Sequence, residues 1–356
     1  MPDVLLFGAT GYTGRLTTQA LARRGVDFAI AGRDRSKLER LASENGDPEI
    51  RVASVGDVDS LVNALDGVKA MITCVGPFLK LGDTAVQAAL EAKCHYIDST
   101  GEGTFIERLV RGHDADARQA GIAMAPALGF DEVPADVTTT LATEGLDNPD
   151  VVLTYALPSA PSRGTAKSVV DIITSAGPWL VDGRRVDVTP GQYARWSPMP
   201  SPLGPRYAIS FPLAEAQLAP LHLDLNSLRL FVTVGRAQAA ALKAMPVTKA
   251  ILSLPGARAG LEAVIERTIS GPGEKARGAR WTILGEARAV DRRRNVVLSG
   301  RDVYGLTAEM LAAAAVRMSE PDFNEVGVIA PVQAVGIDRL QKELIELGVS
   351  IEIYES

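Results

Sequence analysis

Val4-Leu5-Leu6-Phe7-Gly8-Ala9-Thr10-Gly11-Tyr12-Thr13-Gly14 is the stretch whose reading decides the fold. The unbroken apolar run Val4-Leu5-Leu6-Phe7 reads as a buried strand, and the pattern from Leu16 to Leu21 reads as a helix. Between them the glycines stand in the order G-x-x-G-x-x-G. Glycine turns the chain tightly and removes the Cβ that would hold a pyrophosphate off the backbone. The helix behind the turn aims unpaired N–H groups at that anion. A glycine turn alone is a weak signal, but between a strand and a helix it predicts a dinucleotide site. Gly8, Thr10, Gly11, Tyr12, Thr13 and Gly14 are therefore the expected cofactor contacts.

The alternation continues outward from the turn. Strands are expected at 3–7, 27–31, 50–53, 70–73, 95–98 and 122–125, with helices at 15–24, 36–43, 58–65, 84–92 and 104–120. Strands joined by helices imply right-handed crossovers and a parallel sheet. Ligands of such a doubly wound sheet bind at the carboxyl ends of its strands. After Gly129 the rhythm changes. Pro134 opens a helix over 135–143, and strands follow at 151–157, 228–234, 281–290 and 295–300. Asp291-Arg292-Arg293-Arg294 reads as the hairpin turn between the last two. Helices are expected at 165–175, 238–252, 260–268 and 306–318, and the proline- and serine-rich segment 196–212 reads as a long loop. The alanine-rich 306–318 helix is apolar on most faces, which predicts burial. The predicted fold class is α/β. A Rossmann-type doubly wound parallel sheet occupies 1–130, a second α+β domain on a mainly antiparallel sheet occupies 131–303, and a C-terminal helix and tail occupy 304–356.

Composition narrows the function classes. The chain has 356 residues, 46% of them hydrophobic, and a net charge of −6 with no basic stripe, which argues against nucleic acid as a partner. Cys74 and Cys94 have no metal-ligand company, and the histidines His95, His113 and His222 are scattered, so no metal is expected. The reading is a reduced, cytoplasmic protein. Its N-terminus enters a strand without a signal peptide, and no apolar stretch approaches the ~20 residues that span a bilayer. The open edges expected of an antiparallel sheet point to a homodimer.

Cofactor choice is read past the second strand, at Ala31-Gly32-Arg33-Asp34-Arg35-Ser36-Lys37. An acidic residue here would favour the ribose hydroxyl of NAD. Arg33 is the first long side chain, and with Ser36 or Lys37 it can pair with a 2′-phosphate, so NADP is the expected cofactor and Asp34 the dissenting residue. Val75-Gly76-Pro77-Phe78 follows the fourth strand, where a loop would pass beside the nicotinamide ribose. Tyr96 and Asp98 share one face of the fifth strand, and Glu102 follows on its loop. Tyr96 and Glu102 are candidate proton donors, while Asp98 and Glu102 read equally as structural groups. Asp131, ahead of the helix that Pro134 helps begin, is either a catalytic group or a helix cap. G-x-S-x-G is absent, and so is the Tyr-x-x-x-Lys pair of short-chain reductases, since Tyr193 and Tyr207 lack a lysine four positions on.

Taken in order, the motifs resemble those of the saccharopine dehydrogenase-like oxidoreductases, in particular the short bacterial branch called trans-acting enoyl reductases. The matching segments are Gly8 to Gly14, Ala31-Gly32-Arg33, Val75-Gly76-Pro77-Phe78, Tyr96-Ile97-Asp98 with Gly101-Glu102, and Gly129-Phe130-Asp131 with Val133-Pro134-Ala135-Asp136. Gly164-Thr165-Ala166, Gly285-Glu286-Ala287 and Tyr304-Gly305-Leu306-Thr307-Ala308 extend the resemblance over nearly the whole chain. It implies an NADP-binding Rossmann domain, a substrate domain, and a C-terminal helix returning to the first domain. It also implies that the glycine turn, Arg33 and Gly76-Pro77 hold the cofactor, with Asp131 near the nicotinamide.

The resulting expectation is an NADPH-dependent reductase that transfers hydride to an activated C=C or C=N bond in an interdomain cleft. A largely apolar small molecule is the expected substrate, because Arg163, Lys167 and Arg206 are isolated and form no dicarboxylate site. An NADP-linked amine or amino-acid dehydrogenase of saccharopine type, and a non-catalytic NADP-sensing module, are the alternatives.

Overall fold

The computed structural model describes residues 1–157, 176–235 and 278–355. The chain divides into two compact units. One holds Met1–Val137, Gln217–His222 and Val303–Leu347, and the other holds Thr138–Ala216, Leu223–Asp302 and Gly348–Ser356.

The first unit alternates strands and helices: β1 (Val4–Phe7), α1 (Tyr12–Arg23), β2 (Phe28–Gly32), α2 (Arg35–Ser43), β3 (Glu49–Val52), α3 (Val58–Ala64), β4 (Ala70–Thr73), α4 (Phe78–Ala92), β5 (His95–Asp98), α5 (Gly103–Arg108), a π-helical turn Leu109–His113, α6 (Asp114–Ala120) and β6 (Ala123–Ala125). The strands lie in the order β3-β2-β1-β4-β5-β6, and every pairing is parallel. A short strand, Gly327–Val328, adds a seventh member beyond β6 that the sequence pattern did not reveal. β1, β2 and β4 are buried throughout, which is why they read as continuous apolar runs. The helix Val303–Ser319 packs on α1 and on the sheet and buries Leu306, Ala308 and the run Met310 to Ala315. Its alanines let two backbones approach closely. Arg24 fastens the same face, reaching Glu309 at 2.8 Å and Glu343 at 2.6 Å.

The helix α7 (Val133–Thr143) leads into the second unit. Its strands are β7 (Asp150–Ala156), β8 (Gly177–Val181), β9 (Arg184–Val188), β10 (Ala194–Ser197), β11 (Arg206–Ser210), β12 (Ser227–Thr233), β13 (Trp281–Arg288), β14 (Arg293–Gly300) and a C-terminal strand, Ser350–Glu355. Among them β12 runs parallel to β7 and the other pairings are antiparallel. Gly285 lets α7 lie on this sheet, since a Cβ there would sit 2.7 Å from Thr138 Cγ2.

Two local expectations are corrected. The segment 196–212 is not one loop: Trp196 and Ser197 close β10, and Arg206–Ser210 form β11. Trp196 stands opposite Tyr207 with the rings edge to face at 5.8 Å, a cross-strand pair masked in the sequence by the prolines around it. The hairpin turns at Ala289 to Arg292, whose backbones exchange hydrogen bonds of 3.0 and 3.4 Å. Arg293 and Arg294 are strand residues instead. Arg294 is drawn in by Glu144 at 2.7 Å and Glu355 at 2.5 Å. The helices expected at 165–175, 238–252 and 260–268 lie outside the described residues.

Candidate functional site

The strand order reverses beside β1, so β1 and β4 deliver their carboxyl ends to one place. β1 runs into Gly8, whose φ of +83° is left-handed. A Cβ on Gly8 would lie 2.7 Å from Val75 Cγ2, so the glycine turn and the loop after β4 are in contact. A Cβ on Gly14 would lie 2.3 Å from Gly8 O and 2.8 Å from Ala9 Cα, so α1 and the turn pack backbone to backbone. Gly11 differs. Its φ is −71°, and a Cβ there would meet only Gly8 O at 3.3 Å. The first and last glycines serve the protein's own packing, whereas the middle one leaves open the space a bound pyrophosphate needs. The N-terminus of α1 carries no side-chain cap and no acidic residue in its first turn, while Asp34 and Asp57 cap α2 and α3. Arg15 Nε holds the turn by donating to Thr10 O at 3.1 Å, and Tyr12 meets the Tyr304 ring edge to face at 5.3 Å.

Beyond β2, Arg33 is exposed and makes no hydrogen bond or ion pair among the described residues. The carboxylate of Asp34 is occupied. It accepts Lys37 N–H at 3.1 Å and pairs with Lys37 Nζ at 3.3 Å, and the backbone hydrogen bond leads in lowering its pKa. The residue that argued for NAD thus caps a helix. Ser36 stays exposed, and Lys37 leans on Asp34.

The loop Val75-Gly76-Pro77-Phe78 leads straight into α4, which begins at Phe78 rather than at residue 84. Glu102 is the reason. Its carboxylate accepts Phe78 N–H and Leu79 N–H at 2.9 Å each and closes the exposed end of the helix. With both oxygens so engaged, Glu102 orients the loop, which corrects its reading as a proton donor. Tyr96 is corrected as well. It is fully buried in the core with Leu5, Met71 and Phe105, and its hydroxyl donates to Asp98 Oδ2 at 2.7 Å. Asp98 is also fully buried. Its Oδ1 accepts Thr100 N–H at 2.8 Å and Ala127 N–H at 2.9 Å. Burial pushes its carboxyl up to about 6 against these hydrogen bonds.

Asp131 follows β6 on a loop that Thr307 anchors by accepting Phe130 N–H at 3.0 Å. Asp131 Oδ2 lies 3.0 Å from the position of a Cβ on Gly101, beside the residue that orients the 75–79 loop. Asp131 is exposed as a residue, while desolvation by the protein around its carboxyl pushes the pKa up. Arg15 was given no role in the sequence reading, and Thr307 was marked only as part of the segment Tyr304 to Ala308, because what each holds is backbone. Cys74 and Cys94 are free thiols, and among the described residues no group of three His, Cys, Asp or Glu side chains is placed to hold a metal ion.

Residues 4–124 match the family described as Saccharopine dehydrogenase NADP binding domain. The chain has a saccharopine dehydrogenase-type NADP-binding domain. That domain serves NADP-dependent oxidoreductases, so the resemblance read from the motifs and NADP as cofactor are both borne out. Gly11, the start of α1 without a side-chain cap, and Arg33, which has no partner among the described residues, suit such a ligand. The human saccharopine dehydrogenase-like oxidoreductase is 30% identical over 155 residues, 38% of this chain and 35% of that protein. A Mycobacterium tuberculosis protein, named as a proposed trans-acting enoyl reductase, is 30% identical over 189 residues, 49% of this chain and 45% of that one. The lipid droplet localized protein of Caenorhabditis elegans is 29% identical over 147 residues, covering 38% and 34%. Each match thus spans less than half of the curated relative. Apo saccharopine dehydrogenase (L-Glu forming) from Saccharomyces cerevisiae superimposes over 100% of both chains with a TM-score of 0.64 at 14% identity, which establishes a shared fold. Among the described residues no helix is long and apolar enough to cross a membrane.

Proposed function

We propose that this chain is an NADPH-dependent reductase that adds hydride and a proton across an activated C=C bond, as in an enoyl, lipid- or polyketide-like substrate, or across a C=N bond. The observation that carries the reading is the contact of the glycine turn with the Val75 loop where the parallel sheet reverses its order. NADPH, when bound, supplies the hydride. Thr10, Gly11, Tyr12 and Thr13 then receive the pyrophosphate on a turn whose close packing Gly8 and Gly14 allow, Arg33 with Ser36 and Lys37 faces the 2′-phosphate, and Val75 to Phe78 border the nicotinamide ribose. Asp131 delivers the proton. Its raised pKa suits a general acid, and it has no hydrogen-bonding partner among the described residues, whereas Tyr96 and Glu102 are both engaged elsewhere. The enoyl choice is supported by the name of the mycobacterial relative. A largely apolar substrate, a homodimer and a cytoplasmic setting complete the reading.

The test uses the purified full chain, NADPH carrying deuterium on its transferable position, and a panel of enoyl thioesters and cyclic imines. Expected are NADPH consumption and one deuterium in the product. Tight NADP binding without turnover would favour a sensing module, oxidation of secondary amines would favour an amine dehydrogenase, and absence of NADP binding would refute the reading. Sedimentation as a monomer at micromolar concentration would remove the homodimer.

A further inference from the structure

Asp98 ties together three loops at the carboxyl edge of the parallel sheet. Through Oδ1 it takes Thr100 N–H from the loop after β5 and Ala127 N–H from the loop after β6, and through Oδ2 it takes the Tyr96 hydroxyl. Its backbone carbonyl accepts Leu128 N–H at 2.8 Å. Thr100 carries the connection onward. Its Oγ1 accepts Glu102 N–H at 3.0 Å, and Glu102 in turn holds Phe78 and Leu79 after β4. The loop after β6 continues to Asp131, which lies against Gly101 of the same set. A fully buried carboxylate is an expensive way to close a strand, and an apolar residue of similar volume is often as stable. What it supplies here is a fixed relation among three loops.

We propose that Asp98 is a positioning residue for the NADP reaction, holding the 75–79 loop through Thr100 and Glu102, and the Asp131 loop through Ala127 and Leu128, in one register. The inference rests on the reading of this edge as the NADP site. Protonation would put a hydrogen on an oxygen that already receives one, leaving Tyr96 or a backbone N–H without an acceptor. The connection is therefore complete above about pH 6 and loosened below it. The titratable groups facing Asp98 are Tyr96 on its own strand, Glu102 on the next loop and Cys74 after β4. Burial holds Tyr96 well above its ordinary range and pushes the Cys74 thiol up to about 12, so both stay neutral across the range that matters.

The experiment compares the full chain with Asp98→Asn by equilibrium titration with NADP+, which tolerates acid, from about pH 7.5 to 5.5. Asp98→Asn is expected to bind about tenfold more weakly at the upper end. The wild type loses affinity as pH falls, and Asp98→Asn keeps only the slope due to the ligand's own phosphate. Glu102→Gln, which spares Asp98, is expected to bind more weakly with the wild-type pH slope. Hydrogen exchange supplies a cofactor-free readout: the Phe78 and Leu79 amides of Asp98→Asn exchange about tenfold faster, while those of β1 and β2 are unchanged. A folded Asp98→Asn with wild-type affinity, pH slope and exchange overturns the proposal. Should that variant fail to fold, Tyr96→Phe decides. It removes a hydrogen bond that holds the Asp98 pKa down, so the midpoint of affinity loss must move to higher pH, and an unmoved midpoint overturns the proposal. If the wild type does not bind NADP+ at all, the functional reading falls, while hydrogen exchange still decides whether Asp98 holds the loops.

Discussion

Gly11→Ala and Gly14→Ala separate the two uses of glycine in the turn. At Gly14 the added Cβ would stand 2.3 Å from Gly8 O, 2.8 Å from Ala9 Cα and 2.9 Å from Ala9 C. All three are backbone atoms, so no rotamer relieves the clash, and the upper part of the overpacking range, about 2–3 kcal/mol, applies. Alanine recovers about 1 kcal/mol of helix propensity inside α1. The net loss is about 1–2 kcal/mol, a fall in Tm of about 2–8 °C for a domain of this size. At Gly11 the backbone already suits alanine, and the Cβ meets one oxygen at 3.3 Å. Gly11→Ala should therefore keep the ligand-free Tm within about 1 °C. It should nonetheless weaken NADPH binding about 10–100-fold, because the methyl group occupies the approach of the pyrophosphate. Ligand-free thermal unfolding followed by NADPH titration gives both numbers. A Gly11→Ala protein that binds like the wild type, or a Gly14→Ala protein that unfolds with it, would refute the division of roles.

Arg33→Ser should weaken NADPH binding about 10–100-fold and leave NADH within about threefold, the loss of one charge-assisted pair with a phosphate; equal loss for both cofactors counts against a 2′-phosphate site. Asp34→Ala should leave the NADPH preference unchanged in the same titrations, because its carboxylate serves α2. Asp131→Asn should lower kcat about 10²–10⁴-fold with NADPH affinity within about twofold. A general acid works while protonated, so wild-type turnover should fall as pH rises through the raised Asp131 pKa, and the variant should lack that limb. Asp136→Ala removes the partner of His222 Nε2 at 2.7 Å and of Val332 N–H at 2.8 Å. Stability measured by urea unfolding should fall by about 3–5 kcal/mol.

The parts of this molecule that could be read in advance are those whose cause is local. A buried parallel strand reads as a near-continuous apolar run, so β1 and β4, the latter apolar up to Thr73, announce themselves. β10 and β11 were hidden because their neighbours are prolines and they pair with each other across a loop, β11 also pairing with the distant β12. The strand Gly327–Val328 is too short to carry any periodicity. The start of α4 was misread because Pro77 looks like the end of a turn, while the group that closes the helix belongs to Glu102, 24 residues on.

The candidate site divides in the same way. Its glycine turn, Arg33 and the Val75 loop were read from strand–turn–helix order, which a few consecutive residues determine; the cofactor class followed from them, and the resemblance from the whole ordered set of motifs. Which carboxylates are available for chemistry did not. Asp34, Asp98, Glu102 and Asp131 all stand at carboxyl ends of strands or just beyond, and nothing in their local sequence tells a cap from an acid. Only the tertiary structure separates them, because a carboxylate is used up by whichever N–H or O–H groups the fold brings to it. For Asp98 these include Ala127, 29 residues away, and the Asp131 loop is held by Thr307, 177 residues from Phe130. Sequence spacing carries backbone geometry, whereas the partners that set a side chain's role arrive from distant strands when the sheet closes.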